Sequence, residues 1–207
     1  MTFNGFAAED FEVFTIDGLE PRMDALISRV RPKLTALGDE VAPFLSALCG
    51  EEMFPHVAKH ARRTVHPPND TWVAWGPGKR GYKALPHFQT GMFQSHLFIV
   101  FAIIYESPNK IIFADALSGS IPAVRERLPG NFFWSTDHLD PHGTPQSDMG
   151  GEQFAELMRR LKEVKKAEVT CGLRIANDDP VLQDGPALLK VIEQTFETLL
   201  PLYRMSF

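Results

Sequence analysis

The stretch PHFQTGMFQSHLFIVFAIIYE, residues 86–106, decides the architecture. His87 to Phe93 and Leu97 to Glu106 each read as a strand, rich in aromatic and β-branched residues, and only Gln94, Ser95 and His96 lie between them. A connection that short joins antiparallel neighbours, whereas parallel strands need a crossover of a dozen or more residues. The second of the two is apolar at nearly every position, as expected of a central strand covered on both faces. Two further strands are expected upstream, near His56 to Arg63 and near Thr71 to Trp75, because Pro- and Gly-containing turns punctuate β-branched and aromatic runs there. Phe132 to Thr136 and Glu168 to Ile175 supply a fifth and a sixth.

Helical spacing flanks this block. From Gly18 to Gly50 apolar residues recur every three or four positions, and Pro32, Gly38 and Pro43 favour two or three consecutive helices over one long one. A short helix beginning near Ala7 is expected before it, with Glu9 and Asp10 in its first turn. Ser107-Pro108 has the form of an N-cap and first helical residue, opening a stretch that Gly119 and Pro122 interrupt before Leu128. Asp137 to Gly151 has little periodicity and reads as a loop. A helix from about Glu152 to Lys165 has one apolar face and one charged face, and Gly185-Pro186 starts a terminal helix. Strands clustered with short turns and flanked by helices indicate an α+β fold: one domain over residues 1–207, with an antiparallel or mixed sheet of about six strands packed by helices from the N-terminal region and the C-terminal half.

Composition narrows the function classes. The chain has 207 residues, 44% of them hydrophobic and 23% charged, which suits a globular protein. Two cysteines, Cys49 and Cys171, are too few for a disulfide framework, and no C-x-x-C pair points to zinc or redox chemistry. The N-terminus MTFNGFAAEDFEVF is acidic where a secretory leader would be basic, and the longest apolar run falls short of a bilayer span. A cytoplasmic protein without a membrane anchor is expected, and no motif requires a cofactor.

The charge distribution is uneven. Between residues 56 and 89, six cationic residues face one acid, so this window carries +5 in a chain of net charge −5 and leaves −10 elsewhere. A local positive field favours an anionic partner. The candidate ligand-binding residues are His56, His60, Arg62, Lys79, Arg80, Lys83 and His87, since guanidinium and ammonium groups recognise phosphate and the glycines of Gly76-Pro77-Gly78-Lys79-Arg80-Gly81 permit close backbone approach. That turn is not a P-loop, because the G-x-x-x-x-G-K-[ST] spacing is missing. In an extended segment after Pro55, alternation would put His56, Ala58, His60 and Arg62 on one face, with His87 or Gln89 arriving from a paired strand. His56 and His60 would then lie about 13 Å apart, too far to share a metal, and the neighbouring cations repel one. Asp137-His138 reads as turn chemistry. A small phosphate-bearing molecule such as a nucleotide, either bound only or bound and turned over, is the expected partner; the alternative is a non-catalytic docking surface for nucleic acid or an acidic protein, with oligomeric state left open.

At HVAKHARRTVHPPNDTWVAW, and again at KRGYK, PHFQTG and STDH, the sequence resembles the YktB-like proteins, a bacterial family, and the resemblance runs the length of the chain. Where this chain has His66 the family pattern has Asn, which argues against a catalytic role for His66. The resemblance implies a compact cytoplasmic α+β domain and implies no particular reaction.

Overall fold

The computed structural model describes residues 2–207. Its centre is an open, antiparallel sheet of seven strands: β1 (Phe54–Val57), β2 (Asp70–Gly76), β3 (His87–Phe93), β4 (His96–Ile103), β5 (Phe133–Ser135), β6 (Thr144–Pro145) and β7 (Val169–Ala176). The spatial order is β1-β2-β3-β4-β7-β5-β6, so β7 enters between two strands that precede it in sequence. The expected hairpin is present, with Gly91 opposite Phe98 and His87 opposite Ala102.

Period-2 alternation divides the sheet into two chemically different faces. On the first lie Val73, Trp75, Phe88, Met92, Leu97, Ile99, Phe101, Trp134, Val169 and Cys171, all in the main hydrophobic core. Helices cover this face. Following α1 (Ala8–Glu12), the chain is helical from α2 (Leu19–Ala25) through a π-helical turn at 26–30 into α3 (Arg31–Cys49). Pro32 falls in the first turn of α3, where its missing N–H costs little, and Pro43 lies inside the helix without ending it. The Trp75 indole N–H donates to the Gly38 carbonyl, fixing α3 to β2 (2.9 Å). α4 (Lys110–Ser118) sets Phe113 against Phe101, and the short α5 (Ile121–Arg127) carries Pro122 in its first turn. α6 (Gly151–Glu163) sets Phe154 edge-on to Trp134, and α7 (Gly185–Arg204) sets Phe196 and Tyr203 against Phe88. No described helix is long and apolar enough to cross a membrane.

One strand differs from expectation. β1 ends at Val57, and the segment expected to continue it to Arg63 leaves the sheet: His60 has a left-handed φ of 52° and the Arg63 amide closes a turn onto the His60 carbonyl. Part of the reason lies across the ladder, where Pro68 and Pro67 stand opposite positions 62 and 63 and offer them no N–H. The break itself comes earlier: after the Ala58 amide bonds the Trp72 carbonyl the chain turns away at His60, although Thr71 and Asp70 of β2 continue opposite, and the His60 ring bonds the Thr71 hydroxyl instead (3.2 Å). The proposed row of His56, Ala58, His60 and Arg62 on one strand face does not exist. His56 alone remains on the strand.

Candidate functional site

Among the described residues, no helix contributes to the hydrophobic cluster on the second face of the sheet. That face carries a small aromatic cluster, Phe93, Phe98, Val100 and Phe133 with Trp72 beside it, surrounded by polar side chains from β2, β3, β4, β5 and β7. A cleft there lies between Gln89, His96, Ser135, His138, Thr170 and Arg174. Its free volume is about 20 Å³, room for about one water molecule. It shares Ser135, Asp137 and Asp140 with an open groove of about 830 Å³ that runs beside α6.

Two unsatisfied donors converge on the cleft. The Arg174 guanidinium lies 3.7 Å over the Phe133 ring, makes no ion pair among the described residues, and buries its Nε without a hydrogen-bond partner. Burial pushes its pKa down, opposed by the charge of Asp140. His96 binds the Ser95 hydroxyl through Nδ1 (2.8 Å), while its buried Nε2 has no partner. Burial first, and then Arg174, push His96 down to about 4, so the ring is neutral near pH 7. A Ser95 hydroxyl that donates to Nδ1 leaves the ring hydrogen on Nε2, an N–H with nothing to receive it.

At the other end of the cleft His138 is held by Glu168, the residue before β7. One carboxylate oxygen of Glu168 accepts from both the His138 backbone N–H (2.8 Å) and its Nδ1 (2.7 Å). The second oxygen is buried and unpartnered. Although burial lowers its pKa, the bond to Glu168 and the carboxylates of Glu168, Asp70 and Asp137 together raise that of His138. Asp70 is itself buried, and burial lifts it to about 6 despite the opposing charges of His138 and Arg63. Asp137 forms the expected turn, its Oδ1 accepting from the Leu139 N–H (2.9 Å).

Of the residues singled out from sequence, His56, His60 and His87 fall around one aromatic pair on the same face. The Trp72 indole donates to the Tyr82 hydroxyl (2.7 Å); Tyr82 packs on His56 (5.6 Å between ring centroids) and on His87 (4.7 Å), and His60 packs edge-on to Trp72 (5.5 Å). His56 also bonds the Gly78 carbonyl (2.9 Å), which anchors the glycine-rich turn to β1. His87 is fully buried, with Nδ1 on the Leu85 carbonyl and Nε2 on the Gln89 amide. Burial pushes both His60 and His87 down to about 4, with Arg63, Arg31 and Lys83 adding to the effect at His60. Arg62, Lys79 and Arg80 are exposed and make no ion pair among the described residues; Lys83 is 3.9 Å from Glu106. Sequence reasoning passed over His96, Glu168 and Arg174 as site residues. Only the register of β7 against β4 and β5 brings them together, although a lone arginine inside the apolar run VTCGLRIA was a visible signal.

Comparison with known proteins gives the lineage. The chain is 50% identical over 206 residues to a UPF0637 protein of Bacillus velezensis, covering all of this chain and 98% of the relative. It is 49% identical over 201 residues to a UPF0637 protein of Bacillus licheniformis, covering 97% and 95% of the two chains, and 49% identical over 197 residues to one of Lysinibacillus sphaericus, covering 95% and 93%. Together with a match over residues 6–203 to the family described as a domain of unknown function, DUF1054, these relatives show that the chain belongs to that bacterial family, as the YktB-like resemblance implies.

Proposed function

We propose that the protein binds a small anionic, phosphate-bearing molecule on the second face of the sheet, with Arg174 and His96 taking the anionic group. The observation that carries this reading is a half-buried guanidinium with no carboxylate partner, facing the same cleft as an unpartnered imidazole nitrogen. Buried polar groups are almost always satisfied, and a planar guanidinium with a neighbouring N–H matches the oxygens of a phosphate. The residues expected from sequence extend the reading along the face. His56 and His60 lie beyond Gln89 around Tyr82 and Trp72, the buried His87 supports Tyr82 from beneath, and the exposed Arg62, Lys79, Arg80 and Lys83 are the cations that would draw an anion towards this part of the chain.

The test is a thermal-shift and calorimetric screen of the full chain with inorganic phosphate, nucleotides and sugar phosphates. Ligand at 100 times its Kd stabilises the fold by about 2.7 kcal/mol, and Arg174→Gln is expected to abolish the shift. Silence of the whole screen at millimolar concentration, or an unchanged shift in Arg174→Gln, overturns the reading. The alternative, a docking surface for nucleic acid, is favoured by the exposed Arg62, Arg63, Lys79 and Arg80, which make no ion pair among the described residues. Binding of single-stranded RNA or DNA that falls steeply with salt would select it, because such binding releases counterions at each phosphate neutralised.

A further inference from the structure

We propose that Asp137, His138 and Glu168 form a binding site for a divalent metal ion of the zinc or manganese class. Each of these residues offers a ligand atom, and the three atoms lie within 4.8 Å of one another. An ion with bonds of about 2.1 Å to each needs ligand separations of about 3 to 4 Å, so small side-chain adjustments would close the shell. Two oxygens and one imidazole nitrogen form a donor set that suits these metals.

The independent observation is Glu168. Its side chain is only 6% exposed, and one oxygen carries both hydrogen bonds from His138 while the other is buried without a hydrogen bond of ordinary geometry, the Tyr105 backbone N–H and the Lys110 ammonium being the further positive groups that act on the carboxylate. An orphaned carboxylate oxygen is an expensive feature to keep in an interior, and a bound cation removes the cost. The charged groups acting on His138 are the carboxylates of Glu168, Asp70 and Asp137, and the Lys110 ammonium acts on Glu168, so three carboxylates against one ammonium leave a field that attracts a cation. The contrast with His56 and His60 is direct, since cations surround that pair. Asp137 is exposed and borders both the cleft and the groove beside α6, which supplies a path of entry. Three protein ligands leave at least one coordination position open towards the cleft, the arrangement in which a metal can hold water or a ligand oxygen.

The competing account is an ordinary His138–Glu168 ion pair beside an Asp137 turn. Asp137→Asn separates the two, because asparagine also forms the turn to Leu139 but loses the ligand charge. The full chain, stripped with EDTA and dialysed, would be titrated calorimetrically with Zn²⁺ and with Mn²⁺. The expected result is binding of about one ion per chain, weakened about tenfold or more by Asp137→Asn and by Glu168→Gln. Arg174→Gln, which removes no ligand, is expected to leave the metal affinity within about threefold. The inference does not rest on anion binding, and the Arg174 variant keeps the two failures distinguishable. Absence of stoichiometric binding of either metal to the wild type overturns it. So does equal affinity in wild type and Asp137→Asn, a variant whose exposed position leaves the fold intact, and so does loss of binding on His142→Ala with Asp137→Asn unaffected, which would move the ion to the exposed His142–Asp140 pair.

Discussion

His87 makes the stability of this protein depend on pH in a calculable way. The ring has no exposed surface, its Nδ1–H donates to the Leu85 carbonyl (2.7 Å), and its Nε2 accepts from the Gln89 amide (2.8 Å). Protonation would put a second N–H against that amide, and even with the Gln89 side chain turned to present its oxygen the charge would remain buried. The folded pKa is therefore pushed down from 6.5 to about 4. Because the unfolded chain binds this proton more readily, His87 costs no stability above pH 6.5 and destabilises progressively as pH falls from 6.5 towards 4. Between pH 7 and pH 5 the loss from this one group is about 2 kcal/mol. His60 and His96 act in the same direction, whereas Asp70, lifted to about 6, regains stability as it protonates, so the wild-type profile alone is a mixture. His87→Gln isolates the term. Its packing penalty does not depend on pH, so urea unfolding of wild type and variant at pH 7, 6 and 5 should show their difference moving by about 2 kcal/mol in favour of the variant. A difference constant to within about 0.5 kcal/mol across that range would refute the buried neutral imidazole.

Gly91→Ala should destabilise by about 1 to 3 kcal/mol or more, because an added Cβ would meet the Thr71 carbonyl oxygen at 2.4 Å and both Phe98 and Trp72 side-chain carbons at 2.5 Å; the midpoint of chemical denaturation reports it. Tyr82→Phe should cost about 1 to 3 kcal/mol by leaving the partly buried Trp72 indole N–H without its acceptor, and indole fluorescence should shift with it.

The local elements were readable because their signals are local. The β3–β4 hairpin follows from two apolar runs with only Gln94, Ser95 and His96 expected between them, of which His96 proves to open β4, and the helical faces of α6 and α7 follow from spacing alone. The length of β1 was not readable. His-Ala-Arg-Arg-Thr-Val is compatible with a strand, and its sequence does not announce the positive φ at His60 that turns the chain away; the prolines before β2 stand opposite only the last residues of the expected strand. The place of β7 was equally hidden, since its pairing with β4 and β5 joins segments separated by dozens of residues through contacts that no local pattern encodes.

That placement is what assembles the candidate site. Side chains alternate along β7, so Thr170, Gly172 and Arg174 share the second face, with Glu168 in phase just before the strand, while Val169, Cys171, Leu173 and Ile175 enter or border the core. Pairing of Phe98 with Arg174 on one side, and of Ser135 with Thr170 on the other, sets the register that carries Arg174 to the cleft beside His96 and Glu168 to His138. A slip of one residue would turn the guanidinium and the carboxylate into the hydrophobic core and expose four apolar side chains instead. The packing that excludes this slip therefore also fixes the site, and the histidines legible from composition, His56, His60 and His87, form one part of a polar face whose other part becomes visible only when the strands are paired.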